Sequence, residues 1–506
     1  SAVFQMPWSL SPASLLYGAG FGVLKIAWIV VAAVFLYDIS VHTGQFEIMK
    51  QSVAAITPDR RLQALLVAFC FGAVIEGAAG FGAPVAIAGA FMIGLGFKPF
   101  HAAALNLIAN TAPVAWGAIG TPVHTLAAVS GLPEADLNSM IGRILPITAI
   151  IVPFWLVRAM ASWRETFEVL PAILVVGVSF GVTQFVWSNF IDSNLVDIAG
   201  GLVSLVSTVV FLRFWQPRNV WRFKDDPALE TDEIGSDAAV ASSETETGRS
   251  SGPKKPAQIA RAWMPFVMLA GLVLLWGLPS IKTALNRMTT PAFERGGWDV
   301  PVLHLAVTRS APVVSKPEPE KAKFDFNWLS ATGTACFIAA IFAGIFQLAK
   351  IFWRTLVRMR FAVLAISFML GLGFVTRYSG MDAVLGLAFT RTGWLFPFFG
   401  TFLGWLGVAL TGSDTSSNAL FGSLQRITAE QLYLSPVLMC AANSAGGVMG
   451  KMVDAQSIVV ATAATNQVGN EGMIFRFVLW HSIALASIVG LIVMAYAYLF
   501  PSLVPH

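Results

Sequence analysis

The sequence predicts an all-α polytopic membrane protein made of two inverted repeats, each with a re-entrant hairpin and a broken helix. Three observations carry this. Charged residues number 60 of 506, or 12%, about half of the roughly 25% usual in soluble domains. Hydrophobic residues make up 56% and mean hydropathy is +0.71. Two pairs of short apolar segments flank Gly- and Ser-rich turns at corresponding places in the two halves. Such a composition excludes a disordered chain, a nucleic-acid-binding domain and an ordinary cytosolic enzyme. The net charge of +4 fits basic loops on the cytoplasmic side of a membrane.

Residues 216–261 carry 15 of the charges and residues 280–327 carry 12, which leaves 33 for the other 412 residues. Apolar runs near the roughly 20 residues needed to span a bilayer occur at 13–38, 102–131, 141–157, 166–187, 195–213, 262–279, 328–349, 361–376, 432–460 and 473–499. Residues 62–75 and 83–97 are too short to span. They flank Glu76-Gly-Ala-Ala-Gly-Phe-Gly-Ala-Pro84. Residues 394–411 and 419–425 likewise flank Thr411-Gly-Ser-Asp-Thr-Ser-Ser-Asn418. Irregular backbone at membrane depth must be buried in protein or line a cavity, so each pair reads as a re-entrant hairpin. Segment 380–391 is too short to place.

A shift of 333 residues aligns the halves. Ala109-Asn-Thr-Ala112 meets Ala442-Asn-Ser-Ala445, and Gly117 meets Gly450. The lysines and arginines at 50, 60, 61 and 98 put the first hairpin on the cytoplasmic side, and the second then enters from outside. The expected units follow from this. Residues 1–61 form an N-terminal scaffold helix and cytoplasmic segment. Residues 62–131 are the first hairpin and broken helix, joined by 132–215 and a disordered cytoplasmic loop at 216–261. Residues 262–394 are scaffold helices with an external polar loop at 280–327. The second hairpin and broken helix span 395–465, before a C-terminal helix at 466–506.

Chemistry is sought where charge is rare. Glu76 is the only charged side chain between Arg61 and Lys98, and Asp414 the only one between Arg391 and Arg426. A lone acid in hydrocarbon costs several kcal/mol and normally faces a cavity or a partner. An acid that gains and loses a proton there is what proton coupling requires; the plain alternative is a helix cap or a buried ion pair. Half-helices starting after Gly82 or Ser417 would offer the positive ends of their dipoles to an anion. Gly77, Gly80, Gly82, Ser413, Thr415, Ser416 and Asn418 therefore join Asn110, Thr111, Asn443 and Ser444 as candidate substrate contacts. Interhelical hydrogen bonding explains such residues equally well. His124, Lys451, Asp454 and Gln456 are secondary candidates; Lys451 and Asp454 can form an i,i+3 pair on a helix. Cys70, Cys336 and Cys440 sit in apolar runs and read as packing. No catalytic group, metal or cofactor is expected.

Residues 76–86, Gly94-Leu-Gly-Phe97, Leu107-Ile-Ala-Asn-Thr-Ala-Pro113, Thr411–Asn418, Ala441–Ala445, Ala27–Tyr37, Gly44-Gln-Phe-Glu47 and Pro153-Phe-Trp-Leu156 together resemble the L-lactate permease family. The resemblance implies a bacterial cytoplasmic-membrane symporter for lactate, and often glycolate, driven by protons. It implies paired hairpins, a mobile transport domain and a scaffold domain that often forms a homodimer. Relative to the family, the first hydrophobic helices are expected to be missing, and the chain starts at Ser1 without a methionine. The partners implied are a small monocarboxylate, protons and the lipid bilayer. Sodium coupling, with unwound carbonyls near Asn110 and Asn443 as ligands, is the alternative within the class. An intramembrane hydrolase using Asp414 and Asp454, or a channel, would be a different class.

Overall fold

In the computed structural model the described residues are 6–54, 56–80, 83–223, 256–277, 279–289, 297–310, 317–324, 326–343, 348–465, 467 and 469–505. Most of the expected disordered loop at 216–261 lies outside them, as does Gly82. In chain order the helices of the first half are α1 (Leu10–Phe21), α2 (Trp28–His42), α3 (Gln45–Ala54), α4 (Arg60–Ala64), α5 (Gly72–Ala79), α6 (Ala83–Gly94), α7 (Pro99–Ala109), α8 (Gly117–Ser130), α9 (Glu134–Met160), α10 (Trp163–Glu168), α11 (Leu170–Phe190) and α12 (Val196–Phe214). Those that follow are α13 (Pro256–Gly277), α14 (Pro279–Thr289), α15 (Thr332–Ala343), α16 (Leu348–Ser379), α17 (Met381–Phe389), α18 (Phe396–Thr411), α19 (Asp414–Gln431), α20 (Pro436–Gly450), α21 (Ala455–Ala464) and α22 (Glu471–Tyr498). Among the described residues six helices are long and apolar enough to cross a membrane, or up to eight if each bent pair counts as one span. Leu174, Val178, Val182, Val203, Val206 and Val210 are exposed on the outer faces of α11 and α12, as expected where lipid is the solvent.

The hairpins form, with corrected lengths. A π-helical stretch, Leu65–Phe71, joins α4 to α5, so the first arm of hairpin one runs without a break from Arg60 and is long enough to span. Its start is fixed by ionic contacts rather than exposed as a flanking charge. Asp59 caps the helix through the Arg61 backbone N–H at 2.9 Å and also takes the Arg61 guanidinium at 2.7 Å. Arg61 is fully buried and donates to the carbonyls of Glu165 and Asn219 at 2.6 and 3.0 Å. In hairpin two, the second arm is α19, which begins at Asp414 and not after Ser417.

The two broken helices are less alike than their sequences. Segment 102–131 divides into α7 and α8, bent by 65° across residues 110–113. Ala118, Ile119 and Gly120 then have φ of 44°, 57° and 70°, a left-handed stretch that disfavours a β-branched residue such as Ile119. The second broken helix keeps α20 intact through Asn443 and Ser444 and breaks at 451–454. The 333-residue shift thus relates the break at 118–120 to that at 451–453, while the turn at Asn110 belongs to the first half alone. Lys350 to Arg360 lie within α16 rather than in a loop; Arg358 pairs with Asp38 of α2 at 2.5 Å. Most of segment 380–391 is α17, which packs on α19.

The halves exchange partners. Helix α6 packs on α21 while α8 packs on α19, and α7 packs on α22 while α9 packs on α20. Reciprocal swaps of this kind are what a two-fold relation between the repeats produces. Within the second half, α18 and α20 approach through glycines. A Cβ at Gly404 would lie 1.9 Å from the Asn443 carbonyl oxygen, and one at Gly446 would lie 2.0 Å from that of Thr401. Gly446→Ala should therefore force the helices apart and destabilise the protein by about 1–3 kcal/mol, read as a lower Tm in detergent. Gly472→Ala, with no atom within 4 Å of its added Cβ, should leave Tm unchanged.

The polar segment before α15 is not wholly irregular. Two antiparallel ribbons pair β1 (Trp298–Asp299) with β4 (Lys323–Phe324), and β2 (Thr308–Arg309) with β3 (Glu318–Pro319). Glu320 accepts from Arg377 of α16 at 2.6 Å and pairs with Arg309 at 3.4 Å. Arg309 continues to Asp382 at 3.2 Å, which also accepts from Ser423 of α19. Burial alone would push the Glu320 carboxyl up, but Arg377 and Arg309 outweigh it and hold it below its ordinary value. The folded state therefore favours the carboxylate. Its contribution is complete above the ordinary carboxyl range and is lost as pH falls through the lowered folded value. The Tm advantage of wild type over Glu320→Gln should accordingly disappear on acidification.

Candidate functional site

The tips of both hairpins and both breaks meet around one small cavity. Gly80 ends α5 with φ 60° and ψ −154°, a conformation left to glycine, and a Cβ there would sit 3.0 Å from that of Ala118. Gly412 ends α18 in the left-handed region at φ 75°, with its N–H on the Val408 carbonyl at 2.7 Å. Ser413 is the N-cap of α19 and accepts from the Ser416 N–H at 3.4 Å. The cavity has a volume of about 30 Å³ and is lined by Glu76, Gly80, Gly117, Pro122, Ser413, Asp414, Thr415 and Lys451, among others. That is room for a few water molecules at most.

Glu76 is buried one turn before the tip of hairpin one. Its Oε1 abuts Gly117, where a Cβ would be 2.5 Å away, and its Oε2 has no hydrogen-bond partner. Asp414 is the first residue of α19. Its Oδ2 accepts from Ser444 Oγ at 2.6 Å and Asn418 Nδ2 at 3.2 Å; its Oδ1 abuts Gly447 and is unpartnered. The two acids are therefore not equivalent by the repeat: one belongs to a first arm and the other begins a second arm. Lys451 lies in the second break, not on a helix shared with Asp454. Its Nζ donates to the Gly412 carbonyl at 2.6 Å and pairs with Asp454 at 3.3 Å. Asp454 in turn caps α21 through the Ser457 N–H at 2.6 Å. Lys451 is the cation among the lining residues, and this fixed charge was rated only secondary from sequence.

The other expected residues divide. Gly80, Ser413 and Thr415 line the cavity. Ser444 and Asn418 hold Asp414. Asn443 stands behind them, donating to Asn418 Oδ1 at 2.9 Å and accepting from Gln425 at 3.2 Å. Asn110 is buried with both amide atoms unpartnered, close to Glu76. Four others face elsewhere. Gly77 packs on α12, where a Cβ would come 2.9 Å from the Ile198 nitrogen. Thr111 satisfies itself on the Ile108 carbonyl at 2.8 Å. His124 is tied to Asn194 at 2.9 Å and Glu134 at 3.0 Å. Gln456 is exposed beside Gly412. The sodium ligands expected near Asn443 find no unwound backbone there, because α20 is continuous.

A family model described as L-lactate permease matches residues 2–500. The chain belongs to the L-lactate permease family. It is 47% identical to glycolate permease GlcA of Escherichia coli (strain K12), covering 98% of this chain and 89% of that one. It is 45% identical to the L-lactate permease of the same strain, covering 99% and 90%. Among solved structures, Neisseria gonorrhoeae MtrF aligns at 13% identity over 95% of this chain and 82% of that one, with a TM-score of 0.44, too low to support an argument. The protein is thus a multi-pass permease of the bacterial cytoplasmic membrane and not an enzyme.

One buried acid of the permease escaped the sequence reading. Asp197, the second residue of α12, is fully buried and lies against Gly77. It is the only charged residue between Asp192 and Arg213, so the rule that singled out Glu76 applies to it equally. Gly117→Ala tests the Glu76 contact. Its Cβ would meet only the tip of a flexible side chain, so the variant should fold with wild-type Tm. Displacing Glu76 should cut substrate uptake by about tenfold or more, since misplaced groups cost rate steeply.

Proposed function

We propose that this permease imports a small 2-hydroxy-monocarboxylate, lactate or glycolate, in symport with protons. The observation that carries the reading is Lys451, a cation fixed at a helix break beside the N-terminus of α19, with Glu76 and Asp414 lining the same cavity. A cation and a helix N-terminus together attract a carboxylate. The names of the relatives supply the substrate class. Ser413 and Thr415 are the hydroxyl contacts nearest that end of the site, and Glu76 and Asp414 are the proton-carrying acids. A three-carbon hydroxy acid needs more room than a few water molecules do, so binding separates the hairpin tips. Closure around it would then expose the site to the two sides of the membrane in turn.

The test is uptake of radiolabelled lactate into proteoliposomes under imposed pH or sodium gradients, with glycolate, D-lactate and pyruvate as competitors. Accumulation should follow the pH gradient and collapse with a protonophore. Uptake that tracks sodium and ignores protonophores would refute proton coupling. Glu76→Gln and Asp414→Asn should lose accumulation while retaining exchange of preloaded substrate. Lys451→Gln should raise KM about tenfold or more, since a hydrogen bond to a charged group contributes about 1.5–3 kcal/mol.

A further inference from the structure

Asp197 does not touch the cavity. It sits where the first hairpin arm meets α12, and the two backbones are close there. A Cβ at Gly77 would lie 2.9 Å from the Ile198 nitrogen and 3.1 Å from Asp197 Cβ. The Asp197 carboxyl interacts with that of Glu76, with the Gln184 side chain of α11, and with the backbone of Trp116 in the first broken helix. Neither of its oxygens has a hydrogen-bond partner of good geometry. The same holds for Glu76 Oε2, Gln184 Oε1 and both amide atoms of Asn110. Gln184 is not free to turn, because its Nε2 donates to the Ala112 carbonyl at 3.1 Å. The result is a buried cluster with many acceptors and, in Asn110 Nδ2, one spare donor.

Buried acceptors without donors are costly. The surrounding charges do not relieve the cost. Lys451 and Asp454 act on Glu76 but are paired with each other. His124 of α8 is held by Glu134 and Asn194. Asp192, before α12, accepts from Asn194. Asp38 of α2 is engaged by Thr355 and Arg358, and His42 at the end of α2 is exposed. Arg60 and Arg61 lie at the opposite end of the first arm, and Arg213 at the far end of α12. Helices α5, α6 and α11 carry no other charged side chain between Lys98 or Glu168 and the next element. What completes the cluster is a donor from outside.

We infer that Asp197 and Glu76 form one site that holds the transported proton between α5 and α12. The bound proton bonds to an oxygen of one carboxyl and is donated as a hydrogen bond to an oxygen of the other. Its release leaves two carboxylates facing each other in an apolar interface, and their repulsion loosens α5 from α12. Proton occupancy thus decides whether hairpin one is seated on α12. The inference rests on the proposed role of Glu76 and adds a positioning acid outside the substrate cavity.

The experiment compares wild type, Glu76→Gln and Asp197→Asn in proteoliposomes, by exchange of preloaded lactate and by accumulation under a pH gradient. Asp197→Asn should lose accumulation under a pH gradient at least about tenfold, with a flattened pH profile of exchange. Wild-type accumulation and an unchanged pH profile would overturn the inference. Glu76→Gln accumulating like wild type would instead refute the underlying role of Glu76, whatever Asp197→Asn does. Accumulation of the wild type on a sodium gradient alone would replace the proton by a cation and also overturn the inference. A measurement on the unaltered protein covers the case in which the asparagine variant does not reach the membrane. A hydrophobic carbodiimide reacts with protonated carboxyls. It should modify Asp197, and labelling should decline as the pH is raised and the pair ionises. Absent or pH-independent labelling would overturn the inference.

Discussion

The site depends on the ion pair between Lys451 and Asp454, made where the second broken helix comes apart. An ammonium group and a carboxylate in an apolar bundle are tolerable only together. Asp454 also caps α21, and Lys451 also holds the carbonyl of Gly412. One pair therefore joins three pieces of irregular backbone: the end of α20, the start of α21 and the tip of hairpin two. Remove the pair, and the free carbonyls and N–H groups of those breaks have no water to turn to. It also leaves a charge at the cavity wall whose sign suits an organic acid.

On the other side, hairpin one supplies the opposite arrangement. Its acid has no cation of its own, and its neighbours at α12 and α7 offer mostly acceptors. The two halves share a plan, visible in the reciprocal packing of α6 on α21 and α8 on α19. They differ in electrostatics. In the second half Lys451 pairs with Asp454, whereas among the described residues no cation pairs with Glu76 or Asp197. The proposed symport needs both an anion site and a cation site, and this divergence between the repeats would supply them.

Much of this was legible in the sequence. The blank background of charge pointed directly to Glu76 and Asp414, and the Gly/Ser-rich interruptions located both hairpin tips. The same rule applies to Asp197, which stands near the start of the apolar run 195–213. The 333-residue shift found the repeat and aligns the breaks at 118–120 and 451–453, but it also pairs a turn with an unbroken helix. Asn110 and Asn443 align in sequence, but only the former, followed by Thr111-Ala-Pro113, lies at a turn. Proline can break a helix, whereas the Ala-Gly-Gly run after Asn443 packs closely against α18 and keeps α20 whole. Side chains such as Thr111 and His124 could not be sorted by residue type alone. Whether a hydroxyl or imidazole is free depends on which carbonyl or carboxylate the fold brings to it.

The contact between α18 and α20 has a mechanical consequence. Gly404 and Gly446 each lie so near a carbonyl of the opposing helix that no side chain stands between the two backbones. Interlocked main chains cannot slide past each other as side-chain layers can. Hairpin two, α20 and the lysine at its end must travel as a single rigid body. Any displacement that opens the cavity is thereby confined to the seams around that body, among them α8 against α19 and α9 against α20.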